Sequence, residues 1–227
     1  MTDGAGPNDS KPNDTRLHDP KVERLDVAGD PDTWRSLGLT VTDDGTIPLV
    51  GASIRIVPDD ENGSAGIVGW ALSGIDTPAN ATSIDIDGLT TDVVDAAAPV
   101  YADHPLGASG LDHVVVMTAD LERTSGAIAE ATGCELKRIR EVGTMRQGFH
   151  RIGRGGLIVE LVERPDLPDG PADFWGLVLI VADIDAACDL IGADRISPPK
   201  DAVQPGRRIA TIRADVGLGL PVALMTH

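Results

Sequence analysis

Aromatic residues make up only 3% of this 227-residue chain, cysteine occurs twice and lysine four times. Scarce aromatics leave the core to Val, Ile, Leu and Ala, which the 41% apolar content can supply. Cys134 and Cys188 share no short spacing, which excludes a zinc knuckle and a Cys-x-x-Cys redox pair. No apolar run reaches the roughly 18–20 residues needed to cross a bilayer, so no membrane partner is expected. The opening MTDGAGPNDSKPND has neither the basic start nor the apolar stretch of a signal peptide, and the expected location is cytoplasmic. Basic charge is short too: 19 Lys and Arg face 36 Asp and Glu, a net charge of −17. That field repels phosphate backbones, so nucleic acid is not an expected partner. There is no G-x-S-x-G nucleophile elbow and no P-loop. The glycines at 153, 155 and 156 run into a strand rather than a helix, and so read as a hairpin turn.

What is present is a repeat. Residues 1–20 are polar and cannot bury enough surface to offset the entropy of ordering, which predicts a disordered tail. A second polar stretch, residues 97–110, reads as a linker between residues 21–96 and 111–227. Within the latter, LDHVVVMTADLE (Leu111 to Glu122) lies over FWGLVLIVADID (Phe174 to Asp185) at a shift of 63 residues. Each copy gives an apolar strand, then a helix with an aspartate as its N-cap, Asp120 or Asp183. Ile184, Ala187, Cys188 and Ile191 share one face of the second helix, and Gly133 and Gly192 are the expected left-handed helix stops. The same shift pairs the last strands, LIVELV from Leu157 with LPVALM from Leu220. Two further strand-like runs lie between helix and last strand in each copy.

The reading is an α+β chain of tandem βαβββ modules, 111–163 and 173–227. Residues 21–96 read as a degenerate pair of the same modules. Strand-like runs fall at Arg24 to Ala28, Leu39 to Thr42, Ile47 to Val50 and Ser53 to Val57. A short helix starts at Asp30-Pro31, carries Trp34 and Leu37, and stops at Gly38. Gly66 to Asp76 resembles the strand before Asp185, with no helix of good length after it and Ser83 to Leu89 as a last strand. An unrelated β-rich appendage is the alternative for this half.

Several segments carry a resemblance: Leu111 to Val116 (LDHVVV) with Ala119-Asp120-Leu121, Arg146-Gln147-Gly148-Phe149, Ile158-Val159-Glu160-Leu161, and Asp201 to Ala210 (DAVQPGRRIA). Together they resemble glyoxalase-like proteins of the vicinal-oxygen-chelate (VOC) superfamily, of actinobacterial type, closely over 111–227 and loosely before it. The resemblance implies curved sheets forming an open half-barrel, with a cleft for a small-molecule ligand. It also implies a divalent metal held by the first and last strands of each module, lyase, isomerase or dioxygenase chemistry, and a homodimer. A non-catalytic binding or sequestering protein on the same fold is the rival.

Carried over by position, His113 and Glu160 are the module-one metal ligands, and Glu160 doubles as a catalytic general base. The matching positions of module two are Gly176 and Ala223, which have no donor. Two side chains make a weak metal site, which puts the metal in doubt. Strand alternation places His150 opposite Gln147, Phe149 and Arg151, without saying which set faces the cleft. Arg146 and Arg208, with Arg207, are candidates for reading a ligand's anionic group. Ion pairing with the surplus aspartates is the alternative, favoured for Arg207. Gln147, Phe149, Trp175 and Gln204 are candidate cleft-lining residues, Trp175 equally a core residue. His113 has its own alternative, a buried histidine bonded to a neighbour. His18, His104 and His227 are expected to be exposed and without a role.

Overall fold

A computed structural model describes residues 19–58, 65–78 and 80–227. The tail expected over residues 1–20, and with it His18, lies outside them up to residue 18.

The first sheet is built from β1 (Lys21–Ala28), β2 (Thr46–Ile47), β3 (Ser53–Val57), β4 (Gly66–Ser73), β5 (Ser83–Ile86) and β6 (Leu89–Val93), in the order β2-β3-β1-β4-β6-β5. One short helix, α1 (Pro31–Arg35), follows β1, capped by Asp30 and started by Pro31. The run Leu39 to Thr42, expected as a strand, is a loop instead. Its backbone is taken up by a side chain: the Thr40 amide donates to His104 Nδ1, whose Nε2 therefore donates to the Pro48 carbonyl. His104 is buried rather than exposed. Ser83 to Leu89 is likewise not one strand but a β5–β6 hairpin, turning at Asp87-Gly88.

The second sheet has eight strands in the order β12-β13-β14-β11-β7-β10-β9-β8. Its first module is β7 (Ala108–Thr118), α2 (Leu121–Thr132), β8 (Arg138–Val142), β9 (Met145–Arg151) and β10 (Ile158–Glu163). The second is β11 (Asp173–Val181), α3 (Ile184–Ile191), β12 (Lys200–Asp201), β13 (Arg208–Thr211) and β14 (Val222–Met225). Asp120 and Asp183 cap α2 and α3 as expected, each accepting backbone N–H groups of the first turn. Gly133 ends α2 in the left-handed well, at φ 66° and ψ 11°. Gly192 ends α3 at φ 95° but ψ 141°, outside that well.

Both sheets obey one pairing rule. The first and last strands of a module run parallel (β1 with β3, β4 with β6, β7 with β10, β11 with β14), and the two first strands of each pair run antiparallel. Among the described residues the N-terminal half is thus a reduced module pair: its first unit lacks a strand, and its second lacks a strand and the helix. Neither sheet closes into a barrel. No helix among the described residues is long and apolar enough to cross a membrane.

One continuous apolar core joins the sheets, with Trp70 of β4 meeting Phe174 of β11 edge to face at 5.4 Å. Trp70 is fully buried, and its indole N–H donates to Thr91 Oγ1 at 2.6 Å. Replacing Trp70 by Ala removes both packing and a satisfied donor, and is expected to cost about 4 kcal/mol. Because the core is shared, urea unfolding followed by far-UV circular dichroism should remain a single transition at lower midpoint. Two separated transitions would show that the sheets unfold independently.

Candidate functional site

In β7 the core positions are Leu111, Val114 and Val116, a step of three followed by a step of two. The cause is an extra residue: His113 pairs with Val178 and Leu111 with Leu179, so Asp112 is a bulge opposite β11. A bulge turns two successive side chains to the same side, and Asp112 and His113 touch accordingly. His113 Nδ1 lies 2.7 Å from Asp112 Oδ2. Strand β11 has the same device 63 residues on, with Phe174 and Leu177 in the core and Trp175 as the extra residue. Register shifts place Glu23 of β1 and Val68 of β4 equivalently. All four first strands therefore share one bulge.

Across the sheet the register sets the rows of the open face. Val115, Glu160, Phe149 and Arg138 are neighbours on β7, β10, β9 and β8, and Met117, Val162, Gln147 and Arg140 form a parallel row. Gln147 and Phe149 thus stand on the side of Glu160. His150 points the other way, under α2, where its Nδ1 donates to the Cys134 carbonyl and its Nε2 accepts from Ser125 Oγ. Burial pushes its pKa down. It is a structural histidine and no third ligand.

At the centre, His113 Nε2 lies 3.4 Å from Glu160 Oε2, with both side chains largely buried. Asp112 is tied on its other oxygen to Arg207, which also donates to the Thr226 carbonyl. Burial works against the Asp112 charge, but hydrogen bonds and charge from His113 and Arg207 outweigh it and hold its pKa below the usual range. A carboxylate held ionised can only accept, so Nδ1 carries the proton. The basic lone pair of a neutral His113 then sits at Nε2, facing Glu160. Burial raises the Glu160 pKa, with His113 and Arg140 opposing it. An oriented imidazole and a desolvated carboxyl group thus stand side by side.

This pair opens onto two adjoining cavities. One, of about 440 Å³, is walled by Val115, Met117, Val162, Trp175 and Ile209, with Gln147 at its edge. The other, of about 220 Å³, holds Asp112, Arg138, Phe149 and Gln204 beside His113 and Glu160. Of the expected residues, His113, Glu160, Gln147, Phe149, Trp175 and Gln204 therefore come together, and Trp175 is half exposed rather than core. Arg146 and Arg208 do not join them. Arg146 binds Glu122 of α2 and Glu163, and Arg208 binds Asp185 of α3, so both guanidinium groups are spent on carboxylates near the helices. Sequence reasoning missed Asp112, which strand alternation assigns to the opposite face, and Arg138.

No family model and no curated protein matches the chain. Among solved structures, 4-hydroxymandelate synthase from Streptomyces coelicolor, in a triple-mutant form, superposes over 92% of this chain and 93% of its own, with TM-score 0.63 and 14% identity. That match spans both sheets. The chain has the vicinal-oxygen-chelate fold. Methylmalonyl-CoA epimerase from Mycobacterium tuberculosis matches 53% of this chain and 89% of its own, with TM-score 0.45 and 19% identity. The Streptomyces coelicolor epimerase in complex with 2-nitronate-propionyl-CoA matches 51% and 92%, with TM-score 0.42 and 20% identity.

At the second-module positions equivalent to His113 and Glu160 stand Gly176 and Ala223, neither with a donor side chain. A Cβ added at Gly176 would lie 2.6 Å from the Pro221 carbonyl oxygen, so no larger residue fits without a backbone shift. Ala223 belongs to an apolar cluster with Val178 and Met225 that lines the larger cavity. No group of three His, Cys, Asp or Glu side chains converges among the described residues. This donor set does not fit the divalent ion that the fold family implies.

The raised Glu160 pKa has a consequence for stability. A carboxyl group harder to ionise when folded than when unfolded costs stability as pH rises above its ordinary 4.5 and through its folded pKa. Glu160→Gln should match the parent near pH 4 and exceed it at pH 7.5, each tenfold loss of acidity on folding being worth about 1.4 kcal/mol. Asp112 contributes oppositely, losing stability as pH falls, but it is common to both proteins and cancels. Urea midpoints at the two pH values measure the difference. A variant less stable than the parent at pH 7.5 would mean that Glu160 is ionised and favourably paired.

Proposed function

We propose that the protein binds a small molecule in the cleft of its second sheet and transfers a proton on it without a metal, as an isomerase or lyase would. The observation that carries this reading is the Asp112–His113–Glu160 row. Asp112 fixes the imidazole tautomer, so that the lone pair of His113 Nε2 faces the cleft and can take a proton. Glu160, whose pKa burial raises, can give one from the same side. A carbon acid beside a carbonyl group is the suitable reacting centre, because its proton leaves only when base and acid act together. The apolar wall of Val115, Met117, Val162 and Trp175 would hold the body of the ligand and exclude water.

The rival reading is a binding or sequestering protein, favoured by the apolar cluster at Ala223 and the absence of donors at Gly176. The two part on chemistry. Small carbonyl compounds incubated with the protein in deuterium oxide should gain deuterium beside the carbonyl, as followed by proton NMR. His113→Asn and Glu160→Gln should each lower the rate by about 100-fold or more. Binding seen by quenching of Trp175, the one exposed tryptophan, with no exchange in any compound, would favour the rival. Metal content of tag-free protein should fall well below one ion per chain. A stoichiometric ion that disappears in Glu160→Ala would refute the metal-free route.

A further inference from the structure

The open face of the sheet carries three arginines that no carboxylate in the described residues neutralises: Arg138 and Arg140 of β8, and Arg151 of β9, which donates to the Gly156 carbonyl instead. Arg138 and Arg140 alternate along β8, in the same rows as Phe149 and Gln147, and so face the cleft with Glu160 and Val162. Neither makes an ion pair or a side-chain hydrogen bond among the described residues. Among the described arginines only Arg154 shares that state: Arg146, Arg164, Arg207 and Arg208 bind carboxylates, and Arg151, Arg195 and Arg213 donate to carbonyl or hydroxyl oxygens. Arg138 is also held in place: its guanidinium carbon stands 4.8 Å from the centre of the Phe149 ring. A cation stacked on an aromatic face keeps its N–H donors free at the edge, oriented but unspent. Both cations act on Glu160 through space, lowering its pKa against the larger effect of burial.

Strand β8 is a sheet edge, and charges there also discourage pairing between molecules. Edge protection requires charge but not stacking over Phe149 beside the reacting pair. Resting on the reading of the cleft as a small-molecule site, we propose that its ligand is a small organic anion. The carboxylate or phosphate of this ligand is gripped by Arg138, with Arg140 beside it. The ligand's apolar body runs past Glu160 and His113 toward Met117 and Trp175, so the charge sets which carbon faces the acid–base pair. Arg146 and Arg208, the residues whose type suggested such a role in the sequence, are not part of this grip.

The test compares three probes of one shape: 4-phenylbutanoate, 4-phenylbutanamide and 4-phenylbutyl phosphate. Each is titrated into the full chain with amide chemical shifts as readout. At least one anionic probe is expected to bind tenfold or more tightly than the amide, with shifts around Phe149, Glu160 and Trp175. Which anion is tighter assigns the group. Arg138→Gln should reduce that preference several-fold, the double variant with Arg140→Gln should abolish it, and Arg138→Lys should restore part of it. The amide's own affinity should not change in any of them. Equal binding of all three, or a preference that survives in the double variant, overturns the anion assignment and leaves the cleft standing. Binding of none of the three at this face overturns the cleft reading and the anion assignment together.

Discussion

An extra residue in a strand reverses which side chains meet the core, and in β7 that residue is Asp112. Without the bulge, regular alternation would send Asp112 to the side opposite His113, among Val114 and Val116. There its charge would be buried without a partner at a cost of several kcal/mol. With it, Asp112 joins His113 on the open face, and the 2.7 Å contact between them becomes possible. The imidazole tautomer and the direction of Nε2 toward Glu160 both follow from that reversal. Arg207 completes it by neutralising the second Asp112 oxygen from the neighbouring module.

The same bulge recurs in all four first strands, which permits a direct comparison of what each module places there. In the second sheet the module-one positions carry His113 and Glu160, and the module-two positions carry Gly176 and Ala223. In the first sheet the register places Arg24 and Arg55 at the equivalents of His113 and Glu160, with Gly69 and Asp92 as the other two. Arg24 and Arg55 both grip the buried Asp26, and Arg24 also reaches Asp92. Every charge in that row is answered by another from the same sheet. Such a row holds the strands together and leaves nothing for a ligand to satisfy. One of four equivalent positions therefore sets an imidazole beside a carboxyl group at a cavity, and there the proposed acid–base site lies.

Most of the architecture was legible because the repeat is strict where the core demands it. The 63-residue shift, the capping aspartates and the apolar last strands all serve packing, and packing constrains residue type. The N-terminal pair was fainter because its helices and outer strands are cut back, leaving the pairing rule to identify it. In the site, His113 and Glu160 stood out as polar residues inside apolar strands. Asp112 did not, since a bulge leaves no mark in residue type and alternation argues against it. Arg146 and Arg208 misled for a related reason. A one-residue difference in register separates Arg146 from Gln147, and the sequence does not say which face a parity belongs to. Arg138 was hidden by its position on a charged edge strand, where an arginine needs no other explanation.

An anion-seeking cleft on a chain of net charge −17 is less paradoxical than it sounds. At physiological salt the field of a distant carboxylate is screened over about 8 Å, so a ligand in the cleft responds chiefly to charges lining it. Those are Lys137, Arg138 and Arg151 around the smaller cavity and Arg164 at the larger one, against Glu160 and an Asp112 carboxylate already bound to Arg207 and His113. The local balance is positive although the molecule is not. The surplus acids elsewhere even assist, because they occupy Arg146, Arg164 and Arg208 around the cleft and leave Arg138 and Arg140 with binding capacity to spare. Selectivity then arises by subtraction: ion pairing occupies Arg146, Arg164 and Arg208, the Gly156 carbonyl takes up Arg151, and Arg138 and Arg140 are left unspent on the face of the reacting pair.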